Sequence, residues 1–143
     1  MKTTKETDKY LESVSPETLN QFLTGDYMNK YKDISDYLNQ SMSSHSLKTS
    51  DVIKHSLLDR FYANQILNGT RKNPSREKLI PLCLAMGMDL EETNRALKIG
   101  KAGTLYSKDK RDAVIIMCIN RKIFDVMKVN ELLYENGLES LGV

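Results

Sequence analysis

The side chains best equipped for chemistry lie within residues 48–78, and their chemistry is hydrogen bonding and charge. In the run RFYANQIL, Ala63, Ile66 and Leu67 recur at three- and four-residue intervals, which is the helical period. The residues left on the outside of this helix are mostly polar: Arg60, Phe61, Asn64, Gln65 and Asn68. A polar outward face of this kind is what a helix needs in order to sit in a nucleic-acid groove.

A short scaffold helix is predicted before this face. Thr49 or Ser50 is a candidate N-cap, because a hydroxyl can accept a free N–H of the first turn. Val52 and Ile53 then point inward, and the helix is expected to end near Ser56. The scaffold helix would support the second helix from behind.

A tight turn at Leu57-Leu58 is predicted to join the two helices. Asp59 can cap the second helix by accepting the N–H of Phe61 or Tyr62, and its charge complements the helix dipole. Gly69 supplies a left-handed residue at the end, before a basic loop over residues 70–74. Two short helices joined by a tight turn form a helix-turn-helix unit.

Helical periodicity and capping residues predict the other elements. A first helix runs from residue 27 or 33 to about residue 42, and Ser75 opens a helix that Gly87 ends, with Pro81 as a source of distortion. Asp89 and Glu92 have capping-box spacing and open a helix that continues to Leu97.

The C-terminal region is predicted to add two helices. Ser107 starts the first, with Asp109 in its first turn, and its run AVIIMCI is apolar on every side, which predicts a central position. Asp125 caps the last helix, and Gly137 closes it.

Composition agrees with an all-α class. The 143 residues are 40% apolar and 28% charged, and three prolines with seven glycines favour long helices over many short strands. We expect a mobile, partly helical N-terminal tail over residues 1–32, a helix-turn-helix bundle over residues 33–100, and a helical extension packed on the bundle over residues 101–143.

Basic residues are concentrated in two blocks. Residues 48–78 contain seven basic and three acidic side chains, and residues 98–111 contain five and one, although the whole chain carries only +2. The second block is Lys98, Lys101, Lys108, Lys110 and Arg111. It could be a second phosphate patch, but a solvated face is the favoured interpretation.

Several classes of protein are disfavoured by the sequence. Cys83 and Cys118 have no Cys or His at ligand spacing, so we expect reduced thiols, no disulfide and no metal, while His45 and His55 are expected on the surface. No signal peptide or membrane span is expected, which predicts a cytoplasmic protein. No catalytic group can be assembled, so we expect neither an enzyme nor a cofactor.

Residues 48–87 resemble the lambda-repressor-like helix-turn-helix domain of the xenobiotic-response-element (XRE) family of transcriptional regulators. The resemblance rests on the scaffold helix, the second helix ending in Asn68-Gly69, the loop RKNPS and the following helix. It implies a five-helix bundle across residues 33–97, and the region from residue 105 onward looks like a C-terminal extension found in some of these regulators.

Four positions depart from the family pattern. Ile53 replaces a usual alanine and Ala63 a usual isoleucine, an exchange that conserves volume if the two side chains meet. Leu57 replaces the turn glycine, which suggests a different turn or a left-handed residue elsewhere. Leu67 replaces a glutamate and needs cover, which the C-terminal helices could supply.

The resemblance implies that the helix over residues 59–67 lies in the major groove of double-stranded DNA. The positions that match base-reading residues are Arg60, Phe61, Asn64 and Gln65. The expected phosphate contacts are Lys48, Thr49, Asn68, Arg71 and Lys72. A homodimer is expected, because one recognition helix reads too few bases to be selective in a genome.

An alternative from another class is a non-catalytic protein-interaction adaptor built on the same fold. Adjacent aromatics in a first turn are more often core or interface residues than groove readers, so Phe61 and Tyr62 could contact a protein, together with Leu57, Leu67 and the C-terminal helices. The threonines near the N-terminus, within residues 3–7, could then accept regulatory phosphate.

Overall fold

A computed structural model of the chain describes residues 30–143, which contain seven α-helices and no strand. The helices are α1 Ile34–Ser44, α2 Thr49–Ser56, α3 Arg60–Leu67, α4 Arg76–Ala85, α5 Leu90–Ile99, α6 Lys110–Asn120 and α7 Val126–Glu135. They lie within one compact unit, Asp33–Val143. The expected all-α class is therefore confirmed, while the predicted partial helix of the tail lies outside the described residues.

Aspartates begin most of these helices, as the sequence indicates. The Asp59 carboxylate accepts the Tyr62 N–H at 3.0 Å at the start of α3. Asp89 and Glu92 form the predicted capping box at α5, with bonds of 2.8 and 3.1 Å. Asp125 accepts the Met127 N–H at 2.9 Å and starts α7. These local signals fix the helix starts independently of distant contacts.

The predicted start of α2 is wrong by one or two residues. Lys48 is the N-cap, so Thr49 and Ser50 lie inside the helix, and no side chain caps this end in the described structure. The half-buried Leu47, which precedes the N-cap, packs against the core. The hydroxyl preference therefore does not determine this helix start.

A continuous apolar core joins α1 to α5. Helix α2 packs on α4, α4 packs on α5, and α1 contacts both α3 and α5. The largest fully buried side chains of this part are Tyr37, Ile34, Leu38, Ile66, Leu79, Ile80, Leu82, Leu84 and Leu97. The Tyr37 hydroxyl donates to the Glu92 carbonyl at 3.0 Å, so the polar group of this buried side chain has a hydrogen-bond partner inside the core.

Helices α6 and α7 extend the same core. Helix α7 packs against α4 and α6, and α6 packs against α5. Ile115, Cys118, Val129 and Leu133 are each fully buried. The C-terminal helices thus contact the remaining helices through side chains as apolar as those of the bundle.

The predictions for α6 need two corrections. The helix starts at Lys110 with Asp109 as its N-cap, because the Asp109 carboxylate accepts the Asp112 N–H at 2.9 Å. The helix is also not central: Met117 is 37% exposed and Ile116 is half-buried. Its apolar run faces the core on one side, through Ile115, Cys118 and Ile119, while the other side is partly exposed.

Two ion pairs connect the start of α4 to the start of α6. Arg76 donates to both Asp112 oxygens at 2.9 and 3.1 Å, and Arg111 donates to both Glu77 oxygens at 2.7 and 2.6 Å. Arg111 also donates to the Glu139 carbonyl at 2.8 Å and fixes the C-terminal segment. We call these four side chains the ion-pair seam.

No helix within residues 30–143 combines the length and the apolarity needed to cross a membrane.

Candidate nucleic-acid interface

The turn between α2 and α3 is built on a residue that the sequence did not identify as left-handed. Leu57 has φ 62° and is itself the left-handed residue, so the second of the two alternatives, a left-handed residue elsewhere, is wrong. The buried Ser56 hydroxyl donates to the Ile53 carbonyl at 2.7 Å and accepts the Leu58 N–H at 3.2 Å. These bonds and the buried Leu58 hold Leu57 in a conformation that costs a non-glycine residue about 1–2 kcal/mol.

The inner face of α3 is buried as predicted. Ala63 and Ile66 are fully buried and Leu67 is 5% exposed, while Ile53 on α2 is also buried. The Leu67 backbone is held by α1, because Ser35 Oγ and Asn39 Nδ2 each donate to the Leu67 carbonyl at 2.8 Å. Helix α3 is therefore fixed against α1 at its C-terminal end.

The outer face of α3 presents the four predicted base-reading side chains. Arg60 and Asn64 are exposed, Phe61 is 73% exposed, and Gln65 is half-buried. Asn64 Nδ2 donates to the Arg60 carbonyl at 3.0 Å, which leaves the Asn64 amide oxygen outside that bond. A polar face with one projecting aromatic ring follows directly from burial of the opposite side of the helix.

The loop after α3 folds back onto this face through Arg71. Its backbone N–H donates to the Gln65 carbonyl at 3.0 Å, and its guanidinium Nε and Nη2 donate to Gln65 Oε1 at 3.2 and 2.7 Å. The guanidinium carbon lies 4.1 Å from the centre of the Tyr62 ring, within cation–π range. Arg71 and Gln65, predicted for separate tasks, are thus in contact.

Tyr62 is the residue of this site that sequence reasoning assigned elsewhere. Its ring lies under Arg71 and 5.7 Å from Lys78 Nζ, so it serves as a platform for two cations. The available signal was its spacing: Tyr62 and Gln65 are three positions apart and share one side of the helix. The contact with Arg71 depends on the loop conformation, which residue spacing alone does not give.

The other predicted phosphate contacts are divided between two elements. Lys48 and Thr49 are exposed at the uncapped start of α2, where free N–H groups favour an anion, although Asp51 in the first turn opposes it. Lys72 is exposed in the loop. Asn68 Oδ1 accepts the Thr70 N–H at 2.9 Å, so its side chain shapes the loop and leaves only its amide N–H groups for a phosphate.

Not every cation of the two basic blocks can act at this site. Arg76 is engaged with Asp112, and this hydrogen bond raises the pKa of Arg76 against the effect of burial. The hydrogen bonds that Arg111 donates to Glu77 raise the pKa of Arg111 in the same way. Arg111 therefore fits neither interpretation of the second basic block, because it is neither free for a phosphate nor solvated. The other four members of that block are exposed: Lys98, Lys101, Lys108 and Lys110.

A second feature of the surface is apolar. A cavity of about 610 Å³ lies between the end of α2, the end of α4 and the start of α7. Leu57, Met86, Phe124 and Met127 contribute to its lining, and Leu57 and Met127 are 42% and 62% exposed. Within residues 30–143, no group of three His, Cys, Asp or Glu side chains is arranged to hold a metal ion.

Comparison of the chain with models of protein families, with curated proteins and with solved structures gives no match.

Proposed function

We propose that the protein is a sequence-specific DNA-binding transcriptional regulator of the XRE type, that α1 to α5 form a lambda-repressor-like five-helix bundle, and that α3 is its recognition helix. The observation that carries the proposal is the outer face of α3. Arg60, Asn64 and Gln65 can form paired hydrogen bonds with base edges, and each good pair contributes roughly 1–3 kcal/mol of discrimination. The protein acts by occupying a site, without catalysis or a cofactor.

The surroundings of α3 support this use. The left-handed turn at Leu57 lets α2 support α3 from behind, and the loop that carries Arg71 and Lys72 places cations beside the reading face. Cations at the edge of a groove bind phosphates and set the register of the protein on the duplex. The start of α2, with Lys48 and Thr49, supplies a second phosphate contact.

Binding as a homodimer completes the proposal, since two recognition helices double the number of bases that are read. The two helices would then meet half-sites about 34 Å apart, one turn of the duplex.

The test is binding to fragments of the protein's own genome, measured across a range of salt concentrations. Arg60→Ala and Gln65→Ala are expected to lose discrimination between sites by about tenfold each. Arg71→Ala is expected to lower the overall affinity for DNA and to reduce the slope of log K against log salt by about one.

The matched control is Lys108→Ala, which removes one positive charge from an exposed position of the other basic block. It should leave both affinity and site preference close to those of the wild type. Absence of salt-dependent binding to any DNA would overturn the regulator proposal.

A second candidate is a protein-binding adaptor, favoured by the exposed apolar side chains beside the turn. Phe61 is 73% exposed, and the cavity next to Leu57 is lined by Phe124 and Met127. Exposed aromatic and methionine side chains are enriched in the centres of protein interfaces. On this view Phe61→Ala abolishes partner binding, while Arg60→Ala and Gln65→Ala have little effect.

A further inference from the structure

We propose that Arg71 restricts Gln65 to donating hydrogen bonds, so that Gln65 recognises guanine rather than adenine in the major groove. The inference rests on the proposed function and specifies the base that one residue reads. Its basis is the pair of bonds from Arg71 Nε and Nη2 to Gln65 Oε1, at 3.2 and 2.7 Å.

The chemistry of the two groups fixes the orientation of the Gln65 amide. A guanidinium has five N–H donors and no acceptor, so the atom of Gln65 that faces Arg71 must be the oxygen. An amide oxygen has two lone pairs, and the two bonds from Arg71 occupy both. The Gln65 NH₂ group therefore presents donors alone to whatever approaches the face of α3.

Two further contacts hold Arg71 in this position before any ligand arrives. Its backbone N–H donates to the Gln65 carbonyl at 3.0 Å, which fixes the loop to the helix. Its guanidinium lies 4.1 Å from the centre of the Tyr62 ring. Tyr62 is half-buried, and its own N–H is bonded to Asp59 at 3.0 Å, so the platform is itself anchored.

The donor-only amide changes which base edge is complementary. A glutamine that reads adenine donates to N7 and accepts from the N6 amino group, and it needs a free oxygen for the second bond. Guanine offers two acceptors, N7 and O6, which match two N–H donors. The remaining N–H groups of Arg71 stay available to a phosphate, so one arginine links backbone contact to base choice.

The experiment selects bound sequences from a pool of randomised DNA duplexes. Wild type, Gln65→Ala, Arg71→Ala and Lys72→Ala are selected in parallel after each variant is shown to have the wild-type helical circular dichroism. The position that loses its preference in Gln65→Ala is the position that Gln65 reads. Lys72→Ala is the matched control, because it removes a neighbouring exposed charge and leaves the Gln65 contact intact.

At that position wild type is expected to prefer guanine over adenine by about tenfold, and Arg71→Ala to prefer adenine over guanine by a similar factor. Lys72→Ala should bind more weakly and keep the guanine preference. An Arg71→Ala protein that still selects guanine, or a wild type that selects adenine, overturns the inference while leaving the proposed function in place.

Gln65→Glu provides a second, independent variant. A carboxylate keeps the contact with Arg71 as an ion pair but has no N–H group, so the guanine preference should be lost by about tenfold. Retention of that preference would contradict the inference. Failure of wild type to select any DNA would instead remove the proposed function itself.

Discussion

Two arginines of this chain, five positions apart, have opposite surroundings. Arg71 is exposed, bonded to the neutral Gln65 and stacked on Tyr62, so its positive charge is not cancelled. Arg76 donates to both Asp112 oxygens and to the carbonyls of Gly103 and Thr104. Arg71 is not paired with a carboxylate within residues 30–143, whereas Arg76 is partly buried and its charge is balanced by Asp112.

The same contrast holds for the regions around them. In the ion-pair seam, each carboxylate accepts hydrogen bonds from a guanidinium of opposite charge. Burial opposes ionisation of Asp112, but the hydrogen bonds from Arg76 and the Tyr106 N–H hold the pKa of Asp112 below its ordinary value. In the turn before α3, by contrast, Leu57 has a left-handed backbone, and within residues 30–143 neither Arg60 nor Arg71 forms an ion pair.

The difference shows why counting cations is a poor guide to a binding surface. Residues 48–78 owe part of their excess charge to Arg76, which stabilises the fold, and residues 98–111 owe part of theirs to Arg111. A neutralised arginine contributes little to the potential outside the protein. The charge that remains beside α3 comes from Arg60, Arg71, Lys72 and Lys78.

The largest effect expected in the seam is that of Asp112→Ala. Asp112 is 4% exposed, and its removal leaves the partly buried Arg76 guanidinium without its carboxylate. We expect a loss of about 2–4 kcal/mol in the free energy of unfolding, measured by urea denaturation. Asp109→Ala is the control from the same helix end, and it should cost about 1 kcal/mol as the loss of an exposed cap. Equal losses for the two variants would contradict the distinction between seam and surface.

A second prediction concerns acid. The hydrogen bond from Arg111 lowers the pKa of Glu77 from its ordinary 4.5, and the pKa of Asp112 is lowered from 3.8. A carboxylate with a depressed folded pKa contributes stability that is complete above its unfolded pKa and is lost as the pH falls through the folded value.

Urea denaturation at several pH values should therefore show a loss of stability below about pH 4.5, with a shallower decline for Glu77→Gln. Glu135→Gln, an exposed carboxylate on α7, serves as the control and should follow the wild-type curve. A Glu77→Gln curve parallel to that of wild type would argue against a seam that depends on ionised carboxylates.

The smallest effect lies at the turn before α3. Leu57→Gly and Leu57→Ala remove the same partly exposed side chain beyond Cβ, but only glycine adopts φ 62° without strain. The glycine variant should be more stable than the alanine variant by about 1 kcal/mol in thermal unfolding. An alanine variant more stable than the glycine variant would mean that the left-handed turn is not strained. The turn and the ion-pair seam would then not differ in backbone strain.

Local signals in the sequence predicted most of the fold. Asp59, Asp125 and the Asp89–Glu92 box cap the helices that they were expected to cap, because a cap needs only neighbours two or three residues away. The inward stripe of α3 also followed from its period. The start of α2, where no side chain caps the helix in the described structure, was misplaced.

The site was predictable in its residues and not in its contacts. Spacing predicted an outward face with Arg60, Phe61, Asn64 and Gln65, since burial of Ala63 and Ile66 leaves no other arrangement. The bond from Arg71 to Gln65 depends on a loop returning over six residues, and the pair Arg111–Glu77 spans 34. Neither separation along the chain corresponds to a helical or strand period, so no pattern in the sequence predicts these contacts.

The reactivity of the two cysteines can report local unfolding of the helices that carry them. Burial raises the pKa of Cys83 on α4 to about 12 and also raises the pKa of Cys118 on α6, and both side chains are fully buried. Only a thiolate reacts with alkylating reagents, so neither sulfur reacts readily while its helix stays packed. The rate at which each thiol is labelled therefore follows local unfolding of the helix that carries it, one in the bundle and one in the C-terminal pair.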